Sequence, residues 1–427
     1  MNTPDRSGVG TGKRRRPVPA IGEVVAPARL GGSFRWLLAS SWTTNLGDGV
    51  AAAAGPLLVA SLTDSPVLIA AAALLRWAPP LVFGLYAGVL SDRYDRRRIV
   101  VLADGSRAVV LAVLVVALAT GRLDSTGALL ALGLLATAEV FADNTTATLT
   151  PMVVSADDLV LANARLQVGF VTLNQLAGPP LGAALFVAGQ VWPFVTQAVL
   201  VAAGVLLIRR IRPVAHVAPP TSNVRREISE GIAWTVRHAA VRTLALTILI
   251  FNVTFGAAWS VLVLYAQDRL GLGAIGFGLI TAVSAAGGML GTGLYGVITA
   301  RVSLGNVMRV GLVVETFTHL GLAATTSALV ALPIFFVFGA HAFIWGTTST
   351  TVRQRAVPAH LQGRVGSVYT IGLYGGLVVG AAVGGVLAGR FGVTAPFWFA
   401  FAGSAVFLAL LWPSLTRIAH AEPTAAA

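Results

Sequence analysis

Four ionisable side chains lie deep inside apolar stretches of this 427-residue chain: Asp48, Arg76, Glu139 and Asp143. Charge at bilayer depth costs free energy, so such groups mark pathways for ions or substrates. A carboxylate in an apolar cavity can bind and release a proton as its surroundings alternate. Asp48 falls near the middle of the first apolar run, and Glu139 at similar depth in the fourth. Asp143 follows Glu139 by one helical turn on the same face, nearer a membrane surface. Arg76, in the second run, is placed to pair with any of them. These four are the expected proton-coupling set. The plainer alternative is a permanent bridge from Arg76 to a carboxylate that only joins helices. Asp104 and Arg107, near one end of the third run, read as a structural interface pair.

The elements that position these groups must be membrane helices. Hydrophobic residues make up 56% of the chain and charged residues 11%, with a mean hydropathy of +0.80. A soluble domain is about 25% charged. The apolar runs are continuous rather than alternating, which points to helices and not to a barrel. A span needs roughly 20 apolar residues. Runs of that kind begin near Trp36, Val67, Ile99, Thr126, Leu159, Trp192, Thr243, Ala274, Gly305, Ala328, Gly363 and Thr394. The expected fold is an all-α integral membrane protein with twelve transmembrane helices.

The net charge of +13 raises the question of nucleic acid, but its distribution answers it. With the N-terminus inside, the inner segments take Lys13 to Arg16, Arg93 to Arg98, Arg209 to Arg242, Arg301, Arg353 and Arg355. The outer loops keep Arg122, Arg269 and Arg390. That is the positive-inside pattern, with both termini cytoplasmic in a cell inner (plasma) membrane, and it makes the bilayer rather than nucleic acid the partner. The chain has no cysteine, so disulfides and thiolate metal sites are excluded. No His/Asp/Glu cluster has ligand spacing, so no metal site is expected, nor any cofactor. Gly8 to Lys13 imitates a phosphate loop, but Ser7 stands where its first Gly belongs and Arg14 replaces the Ser/Thr that holds magnesium.

Residues 1–34 read as a disordered basic cytoplasmic tail, 35–210 as one six-span bundle, 241–416 as a second, and 417–427 as a cytoplasmic tail. The linker 211–240 contains Val224 to Arg237, which is either an amphipathic helix on the inner leaflet or part of an ordinary polar linker with some helix. Gly178-Pro179-Pro180-Leu181-Gly182 aligns with Gly380-Ala-Ala-Val-Gly384 at an offset of 202 (380 − 178), which also sets Leu159 on Leu361. Two such repeats with a pathway between them are a known transporter plan.

The loop Gly88-Val-Leu-Ser-Asp92-Arg93-Tyr-Asp95-Arg96-Arg97-Arg98 joins the second and third runs. A carboxylate among arginines can bond them at the membrane surface or cap a helix N-terminus. Its Gly88, Asp92, Arg93, Arg96 and Arg97 resemble the signature loop of the major facilitator superfamily, over residues from about 35 to 415. It departs from the pattern at Asp95, where that family usually has Gly. The resemblance implies two pseudo-symmetric six-helix bundles, with Asp92 as the acid of a conformational latch and Arg96 as its basic partner.

Asn174 to Ala183 resembles the span-five antiporter motif of the same family, with Asn174 and Ala183 in place of its outer glycines. There Pro179 frees a backbone carbonyl and Gly178 and Gly182 allow close packing, the makings of a hinge. Asn45-Leu-Gly-Asp48 and Ala103-Asp104-Gly-Ser-Arg107-Ala108 are similar to the macrolide-efflux and siderophore-exporter branch. Together with the acids at depth, these resemblances imply an exporter rather than an enzyme. It would act as a monomer and exchange protons for an amphipathic or hydrophobic small molecule such as a drug, antibiotic or siderophore-like metabolite. A same-fold nutrient importer and a non-transporting scaffold or sensor are the alternatives.

In the second half, Asn252 and His341 lie on helices that the resemblance puts at the substrate cavity. Glu315 and His319, four residues apart on a peripheral span, are expected to pair locally. Trp42, Phe170, Phe255, Trp259, Phe343, Trp345 and Tyr369 are candidate cavity walls, though most such residues pack or face lipid.

Overall fold

The computed structural model describes residues 27–211 and 224–418. The Gly8–Lys13 segment, most of the basic tail, residues 212–223 and residues 419–427 lie outside the described residues. The chain forms α1 (Gly31–Leu62), α2 (Pro66–Arg93), α3 (Arg96–Ala119), α4 (Ser125–Val153), α5 (Ala156–Ala188), α6 (Trp192–Ile208), α7 (Val224–Arg237), α8 (Ala239–Trp259), α9 (Ala274–Thr299), α10 (Leu304–Ala324), α11 (Ala328–Ala356), α12 (Gln362–Phe391) and α13 (Ala395–Ile418). Among the described residues, eleven helices are long and apolar enough to cross a membrane. The sixth expected span, α6, is apolar but has 17 residues. At 1.5 Å per residue it is about 26 Å long, short of the roughly 30 Å hydrocarbon core. α1 starts inside the stretch expected to be tail, because Phe34 and Leu37 are fully buried there and anchor its first turns.

Side chains set most of the helix starts. Pro66 and Pro193 occupy first turns, where their missing N–H is no loss. Asp95 caps α3, its carboxylate accepting from the backbone N–H groups of Arg97 and Arg98. The Asp that replaces a family Gly is thus an N-cap in extended backbone, a position that needs no left-handed residue.

α5 changes its winding midway. Phe170–Ala177 is π-helical, and the Gly178 N–H donates to Leu173 O, five residues back. The cause lies just beyond: Pro179 and Pro180 supply no N–H to the carbonyls of Gln175 and Leu176, so the turn before them widens.

Three buried clusters define the packing. At the end far from the Gly88–Arg98 loop, both halves share one core, in which Leu58, Ile69, Leu111 and Phe194 meet Tyr265, Phe277, Phe335 and Phe397. At the basic end the cores are separate. Phe34, Val100, Leu149 and Ile208 form one, and Leu244, Met308, Val352 and Leu415 belong to the other. α2 lies along α12 and touches it at the far end, where Gly385 meets Ala70. Towards the basic end the two helices part around a cavity of 530 Å³ lined by Gly84, Leu85, Asp143, Gly363 and Gly366. The molecule is closed at its far end and open at its basic end.

The linker contains α7, a helix docked on the second half. Gly231 lies against the Arg364 carbonyl, where a Cβ would come within 2.5 Å. Glu230 pairs with Arg364 at 2.7 Å and with Arg226 at 2.8 Å. The hydrogen bond from Arg226, with the charge of Arg364, holds the Glu230 carboxyl below its ordinary range. A depressed folded-state pKa contributes stability that is complete above the unfolded value, about 4.3, and is lost as pH falls through the folded one. Spin labels at Ser229 and Gln362 are therefore expected to keep one narrow distance distribution at neutral pH and to broaden as pH falls below about 4. A distribution unchanged by acid would mean that Gly231 packing alone holds α7.

Candidate functional site

α1, α3 and α6 enclose an ion cluster. Arg107, on α3, is fully buried and donates from Nη1 to Asp104 at 2.9 Å and from Nη2 to Asp48 on α1. Gln197 of α6 adds a hydrogen bond to the same Asp48 oxygen at 3.3 Å. α1 and α6 approach closely beside it, since a Cβ at Gly204 would come within 2.6 Å of the Thr44 methyl. Arg107, not Arg76, is thus the cation bound to Asp48. Asp104 and Arg107 do form the expected pair, but as part of a three-helix cluster.

Glu139 and Asp143 lie on α4. Neither makes a hydrogen bond or ion pair within 4 Å to a described residue. Glu139 lines a cavity of 180 Å³ together with Asp48, Arg76, Gln197, Trp259 and Ser260, a chamber between the halves. Asp143 lines the 530 Å³ cavity that opens at the basic end. Arg76 is exposed and lines the small chamber with Glu139. All four residues singled out for proton coupling therefore reach one of two neighbouring cavities. With Asp104 and Arg107 the region holds four carboxylates against two guanidiniums. If both guanidiniums remain charged, two carboxylates lack an opposite charge, and protonation is the low-cost way to neutralise them.

The second half contributes a cavity of 540 Å³. Asn252, Phe251 and Phe255 line it from α8, Glu315 from α10, Phe338, His341, Trp345 and Arg353 from α11, and Tyr369 and Tyr374 from α12. Thr370 and Tyr374 line both this cavity and that of Asp143, so the two adjoin. Asn252 and His341 do lie at a cavity, although Asn252 spends its amide on the Ile248 carbonyl at 2.7 Å. Of the candidate wall aromatics, Phe255, Trp345 and Tyr369 line the large cavity and Trp259 the small one. Trp42 instead covers Gly169 and donates to Arg165 O. The expected Glu315–His319 pair does not form. Glu315 lies 3.4 Å from His341 Nε2 on the next helix, and His319 is buried against Trp259.

The signature loop makes its contacts within the first half. Asp92 pairs with Arg96 at 3.2 Å, and Arg96 also reaches Met152 Sδ at the end of α4. Arg97 donates to Ile211 O at 2.9 Å beyond α6, while Arg93 is exposed. A Cβ at Gly88 would meet nothing within 4 Å. Asp92 and Arg96 are thus joined, and no second-half residue among those described engages them.

At Gly178 and Gly182, the residues expected to form a hinge, α5 crosses α1 backbone to backbone. A Cβ at Gly178 would come within 2.5 Å of Gly49 Cα, and one at Gly182 within 2.1 Å of Val50 O. The repeat-related glycines behave alike: Gly380 meets Val253 O at 2.3 Å and Gly384 meets Ala257 O at 2.2 Å on α8.

A family model described as transmembrane secretion effector matches residues 24–426. Similar proteins include macrolide efflux protein A of Streptococcus pyogenes, 25% identical over 376 residues, covering 83% of this chain and 89% of that protein. The multidrug efflux pump Tap of Mycolicibacterium fortuitum is 29% identical over 409 residues, covering 90% and 93%. Solved structures with this fold include the nucleoside transporter NupG in a D323A mutant, at a TM-score of 0.74 and 11% identity over 91% of this chain and 100% of that one. A bacterial homologue of the iron transporter ferroportin, in an inward-facing state, has a TM-score of 0.72 at 15% identity, covering 91% and 98%.

Proposed function

Because this chain belongs to the transmembrane secretion effector family of the major facilitator superfamily, whose members are multi-pass membrane transporters, we propose that it is a proton-coupled exporter of an amphipathic or hydrophobic small molecule, working by alternating access. The observation that carries the reading is the surplus of carboxylates around two cavities, with Asp48 and Glu139 at the small chamber and Asp143 at the one that opens at the basic end. The names of its relatives, efflux proteins for a macrolide and for multiple drugs, support the direction of transport.

In this reading the basic end is cytoplasmic, in a plasma membrane, with both termini inside. The open state loads substrate from the cytoplasm. Glu139 and Asp143, exposed to the cavities, exchange protons with whichever side is open. Arg76 lines the same small chamber as Glu139 and offers it an opposite charge there. Asp48, bound to Arg107 and Gln197, ties the protonation state of this region to the packing of α1 against α3 and α6. The Asp92–Arg96 pair keeps α2 and α3 in register at the cytoplasmic rim, ready to meet the second half when that rim closes. The Phe170–Ala177 π segment lets the two halves of α5 tilt about the Gly49–Gly178 contact.

The test uses inside-out vesicles and a panel of amphipathic fluorescent compounds. Wild-type vesicles are expected to accumulate at least one compound when their lumen is acidic, and to lose it when an ionophore collapses the pH difference. Glu139→Gln is expected to abolish that accumulation while leaving the protein monodisperse. Accumulation by wild type that ignores the pH difference would refute proton coupling. Uptake that occurs only in right-side-out vesicles would favour import.

A further inference from the structure

The second-half cavity holds one carboxylate, and its setting is built. Gly311, one turn before Glu315 on α10, has no side chain to block α11, and a Cβ there would lie 2.9 Å from His341 Nδ1. The imidazole therefore packs against α10, with Nε2 3.4 Å from Glu315. Aromatic rings pack beside it: Phe338 is edge-on to His341 at 6.0 Å and stacks on Phe255 at 5.7 Å. The Glu315 side chain is 12% exposed, and that exposure is to the cavity.

We propose that Glu315 recognises the cationic group of an amphipathic substrate, and that His341 occupies that place until the substrate displaces it. This rests on the export reading for the bound compound's being cargo. A half-dry carboxylate beside aromatic faces attracts a cation twice, by its own charge and through the rings. Against such a cation a neutral imidazole is a weak competitor, since it offers Glu315 one ordinary hydrogen bond. The volume of 540 Å³ suits a drug-sized body beside that head group.

The other charge lining the cavity, Arg353, does not cancel the preference. It is already stacked over the Tyr369 ring at 4.7 Å. Twelve residues separate it from His341 (353 − 341), or about 18 Å along α11. That offset sets Arg353 towards another part of a cavity that opens to water, which screens the two charges from each other. The other polar side chains facing this space, among them Asn252, Ser349, Thr350, Tyr369, Thr370 and Tyr374, carry no charge at neutral pH.

Size-matched probes of opposite charge test the proposal by equilibrium dialysis with the purified full-length protein: tetraphenylphosphonium and tetraphenylborate. Wild type is expected to bind the phosphonium at least about tenfold more tightly than the borate. Glu315→Gln should remove that preference, and His341→Leu should strengthen phosphonium binding several-fold, an opposite sign that misfolding does not produce. Gly311→Ala, which lifts the imidazole from α10, should also change phosphonium affinity. Preferred binding of the borate, or phosphonium affinity indifferent to Glu315→Gln in a monodisperse variant, overturns the assignment. The vesicle assay reports separately on export. Transport with phosphonium binding indifferent to Glu315 sinks this inference alone, and Glu315-dependent binding without any transport sinks the export reading alone.

Discussion

Arg107→Leu is expected to yield little folded protein, whereas the triple variant Asp48→Asn, Asp104→Asn, Arg107→Leu recovers it. The guanidinium is 1% exposed and binds both carboxylates, which are themselves about 5% exposed or less. Removing it leaves two buried negative charges with no other ion-pair partner among the described residues. Breaking a buried pair from one side costs about 3–5 kcal/mol, while replacing all members by neutral groups of similar volume is often close to neutral. Size-exclusion profiles and apparent melting temperatures of the four single and combined variants make the comparison. A single Arg107→Leu variant as stable as wild type would mean that water reaches the cluster and that its charges are solvated. The same experiment bears on mechanism. If the neutral triple variant folds and still transports, proton coupling belongs to Glu139 and Asp143, and Asp48 serves the packing.

How much of this was legible in the chain itself depends on what each feature rests on. The helices were readable to within a few residues, because each must carry its own run of apolar residues and its own cap, both local properties. The acids at depth were readable for the same reason: a charge inside an apolar run is conspicuous whatever surrounds it. Partner identity was not. Asp104 and Arg107, three apart, looked like a complete local pair. That Arg107 also meets Asp48 depends on how α3 is rotated against α1, and helices apolar on every side carry no stripe that fixes rotation. Glu315 misled in the same way. The i, i+4 rule offered His319, yet Gly311 admits a ring from the neighbouring helix, so His341, 26 residues on (341 − 315), took its place. Small residues decide these outcomes. They reveal that helices approach closely, but not which helices.

The glycine contacts themselves supply the second large effect. Gly182→Ala is expected to destabilise the protein by about 1–3 kcal/mol, the usual cost of overpacking, because its methyl would lie 2.1 Å from Val50 O. The obstacle is main chain of α1, which cannot rotate aside as a flexible side chain could. α1 would have to retreat as a body, and α1 carries Asp48. The strain should therefore reach the Arg107 cluster, so that transport falls further than stability. Gly384→Ala, facing Ala257 O at 2.2 Å, should cost as much stability from the opposite half. It should do so without moving Asp48, and the ratio of transport loss to stability loss should be smaller there. Gly293→Ala is the control, since nothing lies within 4 Å of its added Cβ. Gly88→Ala is also unobstructed in this state. If the loop closes against the second half in the other state, that variant should keep the melting temperature of the purified protein and lose transport. Equal transport by Gly88→Ala and wild type would instead confine the loop to fixing topology.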